Sequence, residues 1–409
     1  MNKITLENNI QHHCIVCNST RWLTWPIGHS MRSVRSDGAI LNQPLTKAQC
    51  YQCGLVQSAQ LPDTNTLATL YTEKYDIYNN RPNAEQFVAS RYAALSNAFT
   101  GSVAPYQPRR VLEVGCGNGA TLNAVQSIWT NAMCIGIEPV VAAVEEAKRC
   151  GFNVHQGMIG VSVPPNIASQ KYDVIYAVHV IEHTQNPIEF LLELKKMLTT
   201  DGFLILSCPN ACMPNLEMMR ADHHYSMTPY HLEIIARKSG LIPTKNTLCP
   251  GGSENLDDEH NQLLVCRLAQ NTETQDARLI PMPFYLNEEN RIKLFKARQD
   301  YFYNFEKLDS ILQSKLKNIK RLFCFGTGGW ACMLAGYAPQ IWNTVQACII
   351  DGNSDKTFYG KPIYSFESLK SWRPDGIIIG TNPAIQTSLA QRINKDGYNA
   401  IRWSDIVAM

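Results

Sequence analysis

The chain of 409 residues lacks an excess of charge of either sign, because 37 lysines and arginines are balanced by 35 aspartates and glutamates. No block of like charges occurs in it, so the composition does not indicate electrostatic binding to nucleic acid or to an anionic membrane. Its hydrophobic runs are shorter than the ~20 apolar residues of a membrane-spanning helix. Because no apolar segment follows the early lysine, we expect no secretory signal and a cytoplasmic protein.

The chain is also poor in the features of non-globular proteins. It has 24 glycines and 21 prolines, and 45% of its residues are hydrophobic, which excludes collagen-like, low-complexity and disordered chains. At roughly 100–200 residues per domain, the length predicts two or three domains. We expect a zinc-binding module at residues 1–75, a core at 76–270, a helical linker at 271–320 and a further α/β domain at 321–409.

Four of the fourteen cysteines form two C-x-x-C pairs, Cys14 with Cys17 and Cys50 with Cys53. Each pair lets two sulfurs converge from one tight turn, and four thiolates satisfy the tetrahedral preference of Zn²⁺. Four sulfur ligands leave no open coordination position. The pattern therefore predicts a structural zinc rather than a catalytic one.

From residue 109 to about residue 268, apolar runs of strand length alternate with helical periods. This alternation predicts repeated βα units and a mostly parallel sheet, and a shorter series of the same kind follows residue 320. Core strands are expected at 110–114, 134–138, 153–156, 172–178, 202–208, 241–245 and 262–268, and later strands at 320–326, 346–351 and 375–380. Helices are expected at 83–99, in the linker and from residue 384.

The first core strand runs into V-L-E-V-G-C-G-N-G at residues 111–119. Glycines such as Gly115 and Gly117 have no Cβ, so a ligand can lie against the main-chain N–H groups of the turn that also contains Cys116. Glu138 ends the next strand, 23 positions after Gly115, where a carboxylate can accept hydrogen bonds from ribose hydroxyls. The pattern predicts a nucleoside-containing ligand at the carboxyl ends of two adjacent strands.

These motifs, with Y-D-V-I-Y-A-V-H-V-I-E-H-T-Q-N-P at residues 172–187, resemble those of class I S-adenosylmethionine-dependent methyltransferases. The resemblance covers about residues 109–268 and implies S-adenosylmethionine as cofactor. It implies that the methionine and sulfonium end lies against the glycine turn and the strand ends, at Glu113, Gly115, Cys116, Gly117, Val178 and His179. It also implies that Glu138 holds the ribose and that Met158 or Ile159 borders the adenine.

The order of the predicted parts is similar to that of three-part bacterial sugar C-methyltransferases, which have an N-terminal zinc module and a C-terminal Rossmann-like domain. That resemblance implies a small-molecule substrate, a nucleotide-activated keto-sugar. From the balanced charge we expect no nucleic-acid or membrane partner. In the C-terminal part, the turn at residues 325–330 resembles a nucleotide-binding turn but lacks a complete G-x-G-x-x-G motif. We therefore expect this domain to dock on the core or to hold the substrate's nucleotide.

Methyl transfer to carbon or oxygen requires removal of a proton, and a histidine with a near-neutral pKa suits that role. His183 follows the fourth core strand, and Asp222, His223 and His224 lie in a polar segment that ends at Thr228, a candidate helix N-cap. In sugar C-methyltransferases the corresponding segment resembles Tyr-His-Glu-His with a serine five positions later, and its last histidine is taken as the base.

Counting back five positions from Thr228 reaches His223, with Asp222 at the acidic position. A shift of one position would select His224 instead. Arg220 and Ala221 stand where those enzymes have tyrosine and histidine, so O-methylation remains open beside C-methylation. The sequence is also compatible with an RNA or protein methyltransferase, with a cofactor-binding scaffold without catalysis, and with an oxidoreductase that uses the C-terminal turn.

Overall fold

The structure is a computed structural model and describes residues 6–7, 10, 12–25, 31–76, 88–249, 261–269, 280–352 and 354–406. Within these ranges, no helix combines the length and apolarity needed to cross a membrane. The α-helices are Thr64–Thr69, Val88–Ser102, Ala120–Ile128, Val141–Arg149, Pro165–Ala168, Pro187–Met197, Pro229–Lys238, Glu288–Leu316, Gly329–Tyr337, Pro339–Thr344, Leu369–Trp372 and Pro383–Lys395. A π-helical turn, Leu70–Lys74, follows the first of them.

Short strands make up the N-terminal part of the chain. They are β1 (Leu6–Glu7), β2 (Trp22–Thr24), β3 (Ser33–Val34), β4 (Ile40–Leu41), β5 (Lys47–Cys50) and β6 (Val56–Ser58). β1, β2, β5 and β6 pair antiparallel in that order, while β3 and β4 pair with each other.

The core is a seven-stranded sheet in the order β13-β14-β11-β10-β7-β8-β9. Its strands are β7 (Arg110–Val114), β8 (Met133–Glu138), β9 (Val154–Gln156), β10 (Tyr172–Val178), β11 (Leu198–Pro209), β13 (Leu241–Cys249) and β14 (Asn261–Leu268). β12 (Tyr225–Ser226) is not part of this sheet, and it pairs antiparallel with β6 in the N-terminal sheet.

The predicted α/β fold of the core is confirmed. β7 pairs parallel with β8 and β10, and β10 pairs parallel with β11, whereas β14 is antiparallel to both β11 and β13. β13 extends beyond its predicted end because its ladder with β14 continues to the pair Cys249 and Asn261. Since parallel strands end at the same edge, the loops after β7, β8, β10 and β11 meet there.

The last sheet has the order β17-β18-β16-β15-β19-β20. Its strands are β15 (Leu322–Phe325), β16 (Val345–Ile350), β17 (Thr357–Phe358), β18 (Lys361–Ser365), β19 (Gly376–Ile379) and β20 (Ala400–Ile401). The three predicted strands are present as β15, β16 and β19, all parallel. Trp330 follows the glycine turn, and its ring lies 5.4 Å from that of Trp403.

The helix predicted in the linker is present as Glu288–Leu316 and contacts the N-terminal part of the chain. The Trp25 indole donates a hydrogen bond to the carbonyl oxygen of Phe295 at 3.2 Å. Arg298, fully buried, donates to Gln49, to the carbonyl of Gly54 and to the carbonyl of Ala211. Residues 271–279 of the predicted linker, and the beginning of the helix predicted from residue 83, lie outside the described residues.

Candidate active site

A cavity of about 270 Å³ opens at the carboxyl edge of the core sheet. All eight cofactor residues proposed from the sequence line it: Glu113, Gly115, Cys116, Gly117, Glu138, Met158, Val178 and His179. Ile159, the second candidate for the adenine neighbour, and His183 also line it. The topology brings these residues together because they follow adjacent parallel strands.

The glycine turn adopts a backbone that other residues rarely reach. Gly115 and Gly117 have φ values of +71° and +52°, in the left-handed region that favours glycine. A Cβ on Gly115 would lie 2.5 Å from a methyl carbon of Val180, which is closer than side chains tolerate. The turn therefore requires glycine both for its conformation and for the close approach of the loop after β10.

The Glu138 carboxylate is fixed by two backbone donors. Gly117 donates its N–H to Oε2 and Val140 donates its N–H to Oε1, both at 2.9 Å. Burial raises the pKa of Glu138, while these two donors partly oppose the shift. Each oxygen keeps a second acceptor position, so the carboxylate can accept from two neighbouring hydroxyls of a ligand. This carboxylate, with its free acceptor positions, fits the ribose hydroxyls of S-adenosylmethionine.

Glu113 lines the cavity with a buried side chain. Its Oε2 accepts a hydrogen bond from the Tyr176 hydroxyl at 2.9 Å, and burial raises the pKa of this carboxyl well above its ordinary value. A positive charge on a bound ligand would stabilise the ionised form. The position is consistent with the sulfonium end that the family resemblance implies.

His183 also lines the cavity. Its Nδ1 lies 2.9 Å from the Tyr71 hydroxyl and 3.6 Å from Oδ2 of Asp222, and its ring centroid is 4.4 Å from that of His223. Asp222 accepts hydrogen bonds from the Ser36 N–H, at 2.8 Å, and from the Ser36 hydroxyl. Three of the four predicted catalytic residues thus form one cluster, in which His183 lines the cavity and Asp222 and His223 lie behind it.

His224 lies outside the cluster of His183, Asp222 and His223, and it does not line the cavity. Its Nδ1 lies 3.4 Å from the Ser58 hydroxyl of the N-terminal sheet. Burial lowers the pKa of His224 to about 3, an effect increased by Lys47 and His183. Its placement favours a structural role over that of a base.

His179 has both ring nitrogens engaged. Nδ1 lies 3.1 Å from Oε1 of Glu182, and Nε2 lies 3.1 Å from the side-chain nitrogen of Asn261. Its backbone is left-handed, with φ of +54°, which is uncommon for a residue with a Cβ. The two contacts fix the orientation of this ring at the end of β10.

The segment with Asp222 and His223 is held by the N-terminal part of the chain. The Lys47 ammonium donates to the carbonyl oxygen of His223, and the N–H of Ser58 donates to that of His224 at 2.9 Å. Burial lowers the pKa of Lys47 to about 7, although Asp222 opposes this shift. Two strands of the N-terminal sheet, β5 and β6, therefore hold the segment that carries Asp222 and His223.

The four cysteines of the two C-x-x-C pairs converge. The Sγ atoms of Cys14 and Cys53 are 3.5 Å apart, those of Cys17 and Cys50 are 3.4 Å apart, and all four lie within 4.8 Å of one another. Thiolates around a tetrahedral zinc with bonds of ~2.3 Å lie about 3.8 Å apart. The cluster fits one zinc ion with no ligand position left for substrate.

Comparison with known proteins identifies part of the chain. Residues 83–241 match the family described as a methyltransferase domain. The chain contains a methyltransferase domain. Over 110 residues it is 34% identical to the tRNA U34 carboxymethyltransferase of Citrifermentans bemidjiense (strain ATCC BAA-1014 / DSM 16622 / JCM 12645 / Bem) and 29% identical to that of Sodalis glossinidius (strain morsitans). Each alignment covers 25% of this chain and 33% of the relative, so the chain spans about one third of the curated relatives' length.

Solved structures are also similar to part of the chain. The mitomycin 7-O-methyltransferase MmcR has 15% sequence identity and a TM-score of 0.39, over 50% of this chain and 60% of that one. The plantazolicin methyltransferase BpumL in complex with SAH has 16% identity and a TM-score of 0.36, over 50% of this chain and 94% of that one.

Sequence reasoning missed several residues around the methyltransferase domain's cavity. Tyr71 and Tyr75 line it, and the Tyr75 hydroxyl lies 3.3 Å from that of Ser36. The recurrence of tyrosine at positions 71, 75 and 78 is the sequence feature that could have pointed to Tyr71 and Tyr75. Ser36 and Lys47 gave no signal, because each reaches the candidate site only through pairing of distant segments in space.

Proposed function

We propose that the chain transfers the methyl group of S-adenosylmethionine to a nucleotide-activated keto-sugar, at the carbon next to the keto group. The observation that carries this proposal is one cavity lined both by the eight proposed cofactor residues and by His183, which lies against Asp222 and His223. The cofactor, when bound, supplies a methyl group on a positively charged sulfur.

In this proposal the residues of the glycine turn and Glu138 bind the cofactor, and the cluster of His183, Asp222 and His223 acts on the acceptor. A C–H bond next to a ketone is acidified, and its proton leaves to the imidazole cluster. The acceptor carbon then forms a bond to the methyl carbon as the carbon–sulfur bond breaks, and that electron pair remains on sulfur as S-adenosylhomocysteine. The Tyr71 hydroxyl, 2.9 Å from Nδ1 of His183, orients the ring.

The sugar substrate is supported by the resemblance to three-part sugar C-methyltransferases and by the near-balance of 37 basic and 35 acidic residues. The division into a module at 1–75, a core at 76–270, a linker at 271–320 and a domain at 321–409 belongs to the same proposal, as do structural zinc at the four cysteines and a cytoplasmic location.

The two tRNA-modifying relatives make RNA a competing substrate class. Strong dependence of binding on salt would favour RNA.

Binding is the first test. Purified, zinc-loaded protein should gain thermal stability with S-adenosylhomocysteine, because a ligand that binds only the folded state shifts unfolding by mass action. A further gain with dTDP, UDP, GDP or CDP would identify the nucleotide of the substrate. If S-adenosylhomocysteine gives no shift and no heat of binding, the proposed function is wrong.

The catalytic assignment needs a variant that separates chemistry from binding. We expect His183→Gln to lower kcat at least about 100-fold and to leave the Kd of S-adenosylhomocysteine within about threefold, because the glycine turn and Glu138 are untouched. His155→Gln is the matched control, since this histidine does not line the cavity. Equal loss in both variants would contradict the assignment.

O-methylation is the second candidate, and the observation that favours it is Arg220 and Ala221 at the positions where sugar C-methyltransferases have tyrosine and histidine. The two outcomes differ in the product. With a ¹³C-labelled methyl donor, the carbon chemical shift of the transferred methyl group distinguishes C–CH₃ from O–CH₃.

A further inference from the structure

Glu182, His183 and His223 form a second group with the composition of a metal site. Each offers one ligand atom, and these atoms lie within 4.8 Å of one another. The group differs from the four-cysteine cluster in chemistry, because it presents imidazole nitrogens and a carboxylate instead of thiolates. Two histidines and one carboxylate are a ligand set of divalent first-row metals and leave coordination positions open.

An independent observation at Glu182 indicates a missing positive partner. The residue is fully buried, and its Oε1 lies 3.1 Å from Nδ1 of His179. Its Oε2 is also buried and has no hydrogen-bond partner in the described ranges. Burying a carboxylate oxygen without a partner is unfavourable, so such groups in proteins are paired or coordinate metals.

The surrounding contacts orient the two histidines in the manner of metal ligands. Nδ1 of His183 lies 3.6 Å from Asp222, and Nε2 of His223 lies 3.6 Å from Oε2 of Glu217. Metal-binding histidines commonly direct the second ring nitrogen to a carboxylate, which fixes the ring and increases its basicity. This arrangement assigns Nε2 of His183 and Nδ1 of His223 as the ligand atoms.

We propose that Glu182, His183 and His223 bind a divalent first-row cation at the acceptor end of the cavity. His183 lines the cavity, so an open coordination position faces the space where the acceptor lies. This role rests on the proposed function. The cation binds the oxygen of the acceptor, a hydroxyl or the keto oxygen. In this refinement the two histidines act as ligands of the cation, which replaces the direct transfer of the proton to the imidazole cluster.

The cation makes the acceptor more acidic. A bound metal lowers the pKa of a coordinated hydroxyl and stabilises the negative oxygen of an enolate. The acceptor's proton then passes to solvent water, and the acceptor atom forms its bond to the methyl carbon while the carbon–sulfur bond breaks. The methyl donor and S-adenosylhomocysteine remain the only other reactant and product of that step.

Manganese is the probe for this site, because the carboxylate suits Mn²⁺, whereas the four thiolates retain zinc. Zn²⁺ binds such a site more tightly than Mn²⁺, so the protein is first brought to one zinc per chain. With S-adenosylhomocysteine bound it is titrated with Mn²⁺, and free Mn²⁺ is measured by its electron paramagnetic resonance signal. We expect one bound Mn²⁺ per chain and at least tenfold weaker binding in Glu182→Gln and in His223→Gln. Glu145→Gln, an exposed carboxylate on the helix Val141–Arg149, is the control and should bind as the wild type does.

The outcomes separate this proposal from the proposed function. If the wild type binds S-adenosylhomocysteine but no Mn²⁺, the metal site is wrong and the histidines act as bases. Binding of Mn²⁺ that is unchanged in both Glu182→Gln and His223→Gln also overturns it. Unchanged zinc content and S-adenosylhomocysteine affinity in a variant show that it has folded, and failure of the wild type to bind S-adenosylhomocysteine rejects the proposed function itself.

Discussion

The Nε2 atom of His231 lies 2.9 Å from the carbonyl oxygen of Cys53, one of the four clustered cysteines. On the other side of the same ring, Nδ1 accepts the backbone N–H of Thr228 at 3.1 Å. One neutral imidazole therefore connects a turn of the cysteine cluster to the N-cap of the helix that follows Asp222 and His223. The cysteine cluster is thereby joined by hydrogen bonds to the segment that leads from Asp222 and His223 into that helix.

Loss of the cysteine cluster should reduce methyl transfer more than cofactor binding. We expect Cys53→Ser to lose zinc and to lower kcat at least about 100-fold, because Lys47 and Ser58 of the attached strands hold His223 and His224. The Kd of S-adenosylhomocysteine should change less, since its proposed ligands lie on the core sheet. Cys150→Ser is the matched control, because Cys150 is exposed. A zinc-free variant with full kcat would contradict this coupling.

The His231 bridge should be measurable in stability. Phenylalanine in its place leaves the Cys53 carbonyl and the Thr228 N–H without their partner, and a buried unsatisfied group costs about 1–3 kcal/mol. We expect His231→Phe to lower the free energy of unfolding in urea by about that amount. His231→Gln, which can keep one of the two hydrogen bonds, should lose less. Equal stability of the wild type and His231→Phe would show that the bridge contributes nothing.

Cofactor binding should depend on pH through Glu138. Burial raises the pKa of this carboxyl, and ribose hydroxyls bind its ionised form, so affinity rises with pH through that raised pKa and then levels off. Glu113 and Cys116 face the same region, and burial also raises the pKa of both. Calorimetry with S-adenosylhomocysteine between about pH 5 and pH 8 should show weakening at the acid end.

Glu138→Gln should remove much of this pH dependence and weaken binding by about 10–100-fold, because the amide offers one acceptor oxygen in place of two. Glu145→Gln again serves as control. A Glu138→Gln variant that keeps the wild-type slope would assign the titration to Glu113 or Cys116 instead.

The glycine turn should not tolerate a methyl group at Gly115. The added Cβ would meet Val180 at 2.5 Å on a backbone with φ of +71°. We expect Gly115→Ala to weaken S-adenosylhomocysteine at least about tenfold, as measured by calorimetry. Gly101→Ala is the control, because a Cβ there meets nothing within 4 Å. Similar affinities in the two variants would mean that the turn adapts.

Local patterns were sufficient to predict much of the fold and that Glu113 and Glu138 line one cavity. Both lie at or near the ends of predicted strands, and parallel pairing alone then brings them to one edge. The cluster of His183, Asp222 and His223 depends on pairings between distant segments, such as Ser36 with Asp222, 186 positions apart, which no local period encodes. The strand at Tyr225–Ser226 is too short for alternation to reveal, and it forms because β6 offers an open edge.

Arg298 and its partner Gln49 are separated by 249 positions in the sequence. At a synthesis rate of about 5–20 residues per second, Gln49 leaves the ribosome roughly 10–50 s before the guanidinium that it pairs with. During translation, Gln49 and the carbonyl of Gly54 therefore stay hydrated until the long helix has been synthesised and Arg298 can donate to them. A nascent chain that stops before that helix carries every cysteine of the cluster and lacks the arginine that closes over it.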